Sequence, residues 1–124
     1  MRTLTLSTLP HTWLIDVDGT VLAHNGHKSG GDSLLPGVTQ LWARIPEQDF
    51  IVLLSARTEG ERDATLAIFS GHGLRFDLAV FALPVGERIL INDQKLSGMQ
   101  TARAVNVRRD AGLADLALVF DAQL

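Results

Sequence analysis

Two aspartates lie two residues apart at the end of a short apolar run, in the segment Leu14-Ile15-Asp16-Val17-Asp18-Gly19-Thr20. On an extended chain such residues face the same way, and Gly19 lets the backbone turn directly after them. Two carboxylates held this close repel each other unless a cation lies between them, and a hard ion such as Mg²⁺ suits oxygen ligands. One carboxylate can then attack phosphorus while the other carries protons. The spacing therefore predicts phosphoryl transfer.

Other roles for this pair of aspartates remain open on these residues alone. Aspartates in loops commonly cap turns or helices. A calcium-binding EF-hand loop is excluded, because counting from Asp16 puts Val21 at the glycine position and His27 at the glutamate position. Zinc binding by His24 and His27 is disfavoured, because no further histidine or cysteine has the spacing of a ligand.

The elements that must position the aspartates follow from the alternation of apolar runs with helical patterns. This alternation predicts an α/β fold with three Rossmann-like layers, in which helices cover both faces of a parallel sheet of about five strands. The predicted strands are residues 12–17, 50–54, 78–81, 88–91 and 104–107. The apolar residues within 113–120 add a closing helix or strand.

Two helices are predicted between the strands. Pro36 suits the first position of the first helix. A core-facing stripe with helical spacing follows at Val38, Leu41, Trp42 and Ile45. The second helix begins with a capping box formed by Thr58 and Glu61 and ends near residues 71–73.

Polar residues follow two further predicted strands. Ser55-Ala56-Arg57 comes after one of them, and Asn92-Asp93 comes after another. Because ligands of open α/β sheets bind beyond the carboxyl ends of the strands, we expect Ser55 and Asp93 to share a crevice with Asp16. A serine hydroxyl and the N–H groups of the following helix favour a phosphate there. Taken singly, each of these residues is an ordinary turn residue.

The ordered motifs Asp16-Val17-Asp18-Gly19-Thr20, Leu54-Ser55 and Ile91-Asn92-Asp93 resemble those of the haloacid dehalogenase superfamily of phosphohydrolases. The similarity spans residues 12–107, and Leu35-Pro36-Gly37-Val38 looks like the opening of the family's first helix. By that resemblance Asp16 is the nucleophile and Asp18 the general acid and base. The resemblance also makes Ser55 the phosphate-binding hydroxyl.

The same resemblance implies a Mg²⁺ cofactor and a small phosphorylated substrate. The implied metal ligands are Asp16, Asp18, through its main-chain carbonyl, and Asp93. The residues expected to contact the substrate are Gly19, Thr20, Ser55, Ala56 and Arg57.

Two departures from the family pattern concern charge. The family's lysine lies between the second and last motifs, where it neutralises the phosphoryl group, but residues 58–92 contain no lysine. We take Lys95 as the first candidate for the substitute catalytic cation. Arg57 is the second candidate, and Arg88 and Lys28 are weaker ones. The outer acid that often follows the last motif is also missing.

The intervals between the motifs are too short to hold a cap domain of roughly 50 residues. We therefore expect a single capless domain over residues 1–124, covered only by a flexible flap at residues 21–34. Such an open site admits a bulky substrate, or a second subunit shields it in a homo-oligomer, and both options stay open.

The composition indicates which class of protein to expect and in which cellular compartment. With 46% hydrophobic residues, a net charge of -3 and no cysteine, a soluble domain without disulfides is expected. No apolar run approaches the roughly 18 residues of a membrane span, and residues 1–9 lack signal-peptide features, so we expect a cytoplasmic protein without a membrane partner. The mild acidity disfavours nucleic acid as a partner.

These expectations combine into a Mg²⁺-dependent phosphomonoesterase that acts through an aspartyl-phosphate. Residues 95–112 resemble C-terminal segments of small capless members linked to sugar-phosphate or polysaccharide metabolism, which implies a substrate of that kind. One alternative is a phosphatase of nucleotides or nucleic-acid ends, which an open site permits. Another is a catalytically silent phosphate-binding or regulatory domain, which the missing lysine favours.

Overall fold

The computed structural model describes residues 1–26 and 30–124. Its strands are β1 (Arg2–Leu6), β2 (Thr12–Asp16), β3 (Phe50–Leu54), β4 (Leu78–Val80) and β5 (Leu116–Phe120). Its helices are α1 (Val38–Arg44) and α2 (Arg62–Gly71), and a short 3₁₀ turn, Glu59–Glu61, leads into α2. The predictions for His27 and Lys28 lie outside the described residues.

The strands form two parallel sheets. One sheet has the order β2-β3-β4, and the other consists of β1 paired with β5. In the first sheet Asp16 lies opposite Leu54, so the carboxyl ends of β2 and β3 are level. The α/β class with parallel pairing is thereby confirmed, whereas the strands are divided between two small sheets instead of one five-stranded sheet.

Two of the predicted strands are wrong. Residues 88–91 and 104–107 belong to no strand, and Ile89 and Ile91 are 83% and 92% exposed. Their apolar pattern meets the side-chain preference of a buried strand, but a strand also needs a hydrogen-bonding partner and a covered face. Two strands come instead from the chain ends, where β1 pairs with β5 in a register of Leu4 opposite Leu118.

One hydrophobic core joins the two sheets. Leu4 of β1 and Leu118 of β5 belong to the same buried cluster as Ile51 and Leu53 of β3. Trp42 of α1 packs against Phe69 of α2 with ring centroids 6.1 Å apart. The indole N–H of this tryptophan donates to the Arg75 carbonyl at 2.9 Å. Trp42 is therefore a core residue, as its place on the helical stripe predicts.

Helix α1 begins two residues later than Pro36 predicts, because Gly37 stands before it as the N-cap with a φ of 79°. This left-handed conformation costs glycine little and other residues much more. The backbone of residues 112–114 also passes close by: a Cβ atom on Gly37 would lie 2.2 Å from the Ala114 nitrogen. The Leu113 N–H donates to the Pro36 carbonyl at 2.8 Å, which fixes this contact.

We expect Gly37→Ala to lower the free energy of unfolding by about 1–3 kcal/mol, because the new Cβ adds left-handed strain and displaces the backbone near Ala114. Urea unfolding of the variant measures the loss. Gly71→Ala is the matched control, because a Cβ atom there meets nothing within 4 Å and alanine is the better helix former. Equal stability of the two variants would contradict the close contact at Gly37.

A buried carboxylate, that of Asp49, joins the amino-terminal ends of β2 and β3, at the edge of the sheet opposite to Asp16. Asp49 accepts hydrogen bonds from the Trp13 indole at 2.8 Å, the His11 main chain at 3.0 Å and the His11 Nδ1 at 2.7 Å. The other ring nitrogen of His11 faces the Ser7 carbonyl at 3.0 Å. Both ring nitrogens of His11 are thus engaged, and a main-chain carbonyl occupies the side of the ring at which a nucleophile would have to lie. We therefore assign this histidine–aspartate pair a structural role.

Candidate active site

The turn that carries the two aspartates is anchored in the core. Val17, Val21 and Leu22 are fully buried. The amides of Val21 and Leu22 both donate to the Val17 carbonyl at 3.0 Å, and the Gly19 amide donates to the Leu22 carbonyl at 2.7 Å. Gly19 adopts a φ of 83°, the conformation that its place after the aspartates predicts. The turn therefore holds Asp16 and Asp18 at the carboxyl end of β2.

Asp16 is the more accessible of the two carboxylates, with 39% of its side chain exposed. Its Oδ2 accepts a hydrogen bond from the Thr20 hydroxyl at 3.1 Å, and its Oδ1 accepts one from Arg88 Nη1 at 2.7 Å. The Arg88 side chain is itself 37% exposed. Each carboxylate oxygen keeps a further lone pair for another ligand. Asp16 thus faces solvent beside one cation.

Asp18 is held by the guanidinium of Arg57. Arg57 Nε donates to Asp18 Oδ2 at 3.1 Å, and Nη2 donates to Oδ1 at 2.8 Å. The side chain of Arg57 is 3% exposed and that of Asp18 is 19% exposed. This two-point contact fixes the plane of the Asp18 carboxylate, which a single hydrogen bond would leave free to rotate.

Arg57 also binds Asp32 of the flap. Nη2 donates to Asp32 Oδ1 at 2.6 Å, Nη1 donates to Oδ2 at 3.1 Å, and Nη1 also donates to the Thr65 hydroxyl at 3.0 Å. A guanidinium has five N–H donors, and these contacts together with the two to Asp18 engage all five. No donor of Arg57 is left over for a substrate.

Opposing effects act on the pKa of Arg57. Burial of the side chain favours the neutral form and lowers the pKa, but the hydrogen bonds and the charges of Asp18 and Asp32 outweigh it and raise the pKa above its ordinary value. Arg57 is therefore a permanent cation between two acids.

Ser55 lies at the carboxyl end of β3 and is 1% exposed. Its amide donates to the Val80 carbonyl at 2.9 Å, and its Oγ accepts a hydrogen bond from the Arg57 amide at 3.0 Å. Ala56 between them is exposed. The first two motifs therefore meet at one edge of the sheet, as predicted, and the Ser55 hydroxyl proton remains available to an acceptor.

Residues near the end of the chain close one side of the turn. The Asp110 amide donates to the Gly19 carbonyl at 2.9 Å, and the Asp110 carboxylate accepts from the His24 amide at 2.7 Å. A Cβ atom on Gly19 would lie 3.3 Å from Cγ of Arg109. Within the described part of the chain, the Arg109 guanidinium makes no hydrogen bond or ion pair.

The third motif stands apart from this arrangement. Asp93 and Lys95 are exposed. The main chain of each lies in a turn, where the Asp93 carbonyl accepts from the Thr101 hydroxyl and the Lys95 amide donates to the Met99 carbonyl at 3.2 Å. Across residues 1–26 and 30–124, the side chains of these two residues make no hydrogen bond or ion pair. Their roles as metal ligand and substitute cation stay predictions.

The metal donors that the structure brings together are fewer than the sequence predicts. In the described ranges, no group of three or more histidines, cysteines, aspartates and glutamates could hold a metal ion, so Asp93 does not join Asp16 and Asp18. Two carboxylates at a solvent-facing edge still suit Mg²⁺, which is usually held by one or two carboxylates together with waters and substrate oxygens.

Two residues of the site are absent from the sequence predictions. Asp32 lies in a polar, glycine-rich segment that matches no motif, and Asp110 follows two arginines that indicate a solvated surface. Asp32 is 25 residues from Arg57 along the chain, and Asp110 is 86 residues from His24. Only the fold brings them to Arg57 and Gly19, so no local signal marks them.

A comparison with protein-family models, with curated proteins and with solved structures finds no match. The resemblance to the haloacid dehalogenase superfamily therefore depends on the motifs themselves. Within the described residues, no helix has the length and apolar character needed to cross a membrane.

Proposed function

We propose that this protein is a Mg²⁺-dependent phosphomonoester hydrolase of the haloacid dehalogenase type, with Asp16 as its nucleophile. One observation carries the proposal: an exposed aspartate and a second aspartate held by an arginine lie at the carboxyl end of β2, level with Ser55 beyond β3. Open α/β sheets bind their ligands at such an edge. A carboxylate nucleophile, a proton carrier and a phosphate-binding hydroxyl are thereby close together.

In the first step, a carboxylate oxygen of Asp16 forms a bond to phosphorus while the bond from phosphorus to the ester oxygen breaks. Asp18 enters this step protonated and gives its proton to the leaving oxygen, which departs as an alcohol. Water then attacks the aspartyl-phosphate, Asp18 takes back a proton, and inorganic phosphate leaves. Atoms and protons balance over the cycle, because one water is consumed and both carboxyl groups return to their starting state.

Positive charge beside Asp16 is needed, because a carboxylate and a phosphate repel each other. Arg88 contacts Asp16 directly and is partly exposed, whereas all donors of Arg57 are engaged. We therefore assign the role of the missing lysine to Arg88. The guanidinium of Arg109, which lies next to Gly19 and has no hydrogen bond or ion pair with the described residues, is placed to attract a second anionic group of the substrate.

For the metal, the residues present suit an oxygen-ligated ion. Asp16 and the main-chain carbonyl of Asp18 would hold Mg²⁺, with water and phosphate oxygens as its other ligands. When bound, the ion supplies charge that stabilises the transferring phosphoryl group.

One observation favours a second candidate function. Asp16 and Asp18 both have guanidinium partners in this structure. A silent phosphate-binding domain would need the same partners, because two carboxylates next to a bound anion require positive charge close by. That candidate predicts binding of inorganic phosphate without turnover.

The test is phosphate release from an aryl phosphate and from a panel of sugar phosphates and nucleotides, in Mg²⁺ and after chelation. We expect release in Mg²⁺ and a loss of at least about 100-fold after chelation, because a metal contributes several kcal/mol to stabilising the phosphoryl charge. Restoring activity with added Mg²⁺ controls for damage by the chelator. Phosphate binding without release from any ester would replace the proposal with the silent domain.

A further inference from the structure

We propose that Arg57 is a positioning residue that orients the proton-carrying Asp18 and fastens the flap through Asp32. The inference rests on the proposed function, because it concerns how the general acid of that reaction is held. Its basis is the geometry of a single buried guanidinium with all five donors satisfied.

The two acids bind adjacent edges of the guanidinium and share its Nη2 nitrogen. This nitrogen donates to Asp18 Oδ1 at 2.8 Å and to Asp32 Oδ1 at 2.6 Å. A shift of Asp32 therefore moves the same group that orients Asp18. Thr65 of α2 accepts from Nη1 and is 1% exposed, so the arginine is also fixed to the rigid part of the fold.

The described part of the flap has other attachments as well. Val21 and Leu22 are fully buried, and the His24 amide donates to the Asp110 carboxylate at 2.7 Å. Main-chain hydrogen bonds join the Ala23 amide to the Ser33 carbonyl at 2.9 Å and the Leu35 amide to the Val21 carbonyl at 2.8 Å. Asp32, with only 10% of its side chain exposed, adds a charged contact next to these bonds. One side chain, that of Arg57, thus holds both Asp18 and this part of the flap.

A general acid matters most when the leaving oxygen is a poor leaving group, because only then must a proton arrive as the bond breaks. Misplacing Asp18 should therefore slow the hydrolysis of an alkyl phosphate more than that of p-nitrophenyl phosphate. A change in folding or in phosphate binding alone would lower both rates alike. The ratio of the two kcat/KM values separates positioning from a merely structural effect, because kcat/KM reports the step in which the leaving oxygen departs, whereas kcat includes the breakdown of an aspartyl-phosphate common to both substrates.

The experiment compares Arg57→Lys and Asp32→Asn with the wild type. A lysine ammonium cannot engage two carboxylates in the planar geometry of a guanidinium. For Arg57→Lys we expect the alkyl-phosphate kcat/KM to fall at least about tenfold more than the p-nitrophenyl phosphate kcat/KM, with a smaller change of the same direction in Asp32→Asn. Arg62→Lys is the matched control, because among the described residues Arg62 contacts Glu59, the Ala79 carbonyl and the Phe81 ring, and neither Asp18 nor Asp32.

Hydrogen exchange at the Ala23 and Leu35 amides gives a readout that needs no activity. Faster exchange in Arg57→Lys and Asp32→Asn, but not in Arg62→Lys, supports the attachment of the flap. If the wild type hydrolyses no ester while exchange still rises, the proposed function fails and the contact between Arg57 and the flap stands. An unchanged ratio of the kcat/KM values together with unchanged exchange would overturn the inference.

Discussion

Asp16→Asn should lower kcat for phosphate release by roughly 10⁴-fold or more, because removing a covalent nucleophile takes away the step on which the other groups act. The asparagine side chain has the same size as aspartate and still offers an oxygen to the Thr20 hydroxyl, which lies 3.1 Å from Asp16 Oδ2. The fold should therefore persist. Steady-state kinetics and urea unfolding of the same preparation measure both expectations.

A covalent intermediate gives the sharper form of this test. Acid quenching during turnover of the wild type, followed by mass spectrometry, should place one phosphoryl group on the peptide that contains Asp16. Asp115→Asn serves as the matched control, because Asp115 is exposed and its side chain makes no hydrogen bond or ion pair with the described residues. Turnover near the wild-type rate in Asp16→Asn would remove this residue from the role of nucleophile.

The sequence identifies the elements whose signals are local. Strand β3 coincides with its predicted residues, and the strand before the first motif ends one residue earlier than predicted. The predicted capping box forms, but it caps the 3₁₀ turn that leads into α2, with the Thr58 amide donating to the Glu61 carboxylate at 3.1 Å. In each case a continuous apolar run or a fixed spacing determines the local backbone, so the information lies within a few residues.

The remaining features depend on pairing between distant residues. The apolar residues at 88–91 satisfy the pattern of a strand without acquiring a partner, whereas β1 and β5 find each other from the two ends of the chain. The same limit applies to the site. Arg57 is visible in the sequence as a candidate cation, but its engagement by Asp18 and Asp32 is a property of three distant segments. From the sequence, Arg57 ranks above Arg88 as the substitute cation, whereas the contacts show that every donor of Arg57 is already engaged.

We expect the largest effect on stability from Asp49→Asn. The change places an amide group near the Trp13 and His11 donors, so at least one buried donor loses its acceptor. Hydrogen bonds to a buried charged group contribute about 1.5–3 kcal/mol each, so a loss of about 2–4 kcal/mol is expected at neutral pH. Urea unfolding measures it, and Asp115→Asn, which removes an exposed carboxylate, should leave stability nearly unchanged.

The pH dependence of this loss identifies its cause. Burial of Asp49 by itself raises its pKa, but the hydrogen bonds from Trp13 and His11 outweigh it, and the pKa lies below its ordinary value of 3.8. The folded state therefore prefers the ionised carboxylate. Its contribution to stability is fully present above pH 3.8 and is lost as the pH falls through the depressed value. The difference in stability between wild type and Asp49→Asn should accordingly shrink as the pH falls below about 4. A difference that does not change with pH would mean that the carboxylate's charge does not stabilise this end of the sheet.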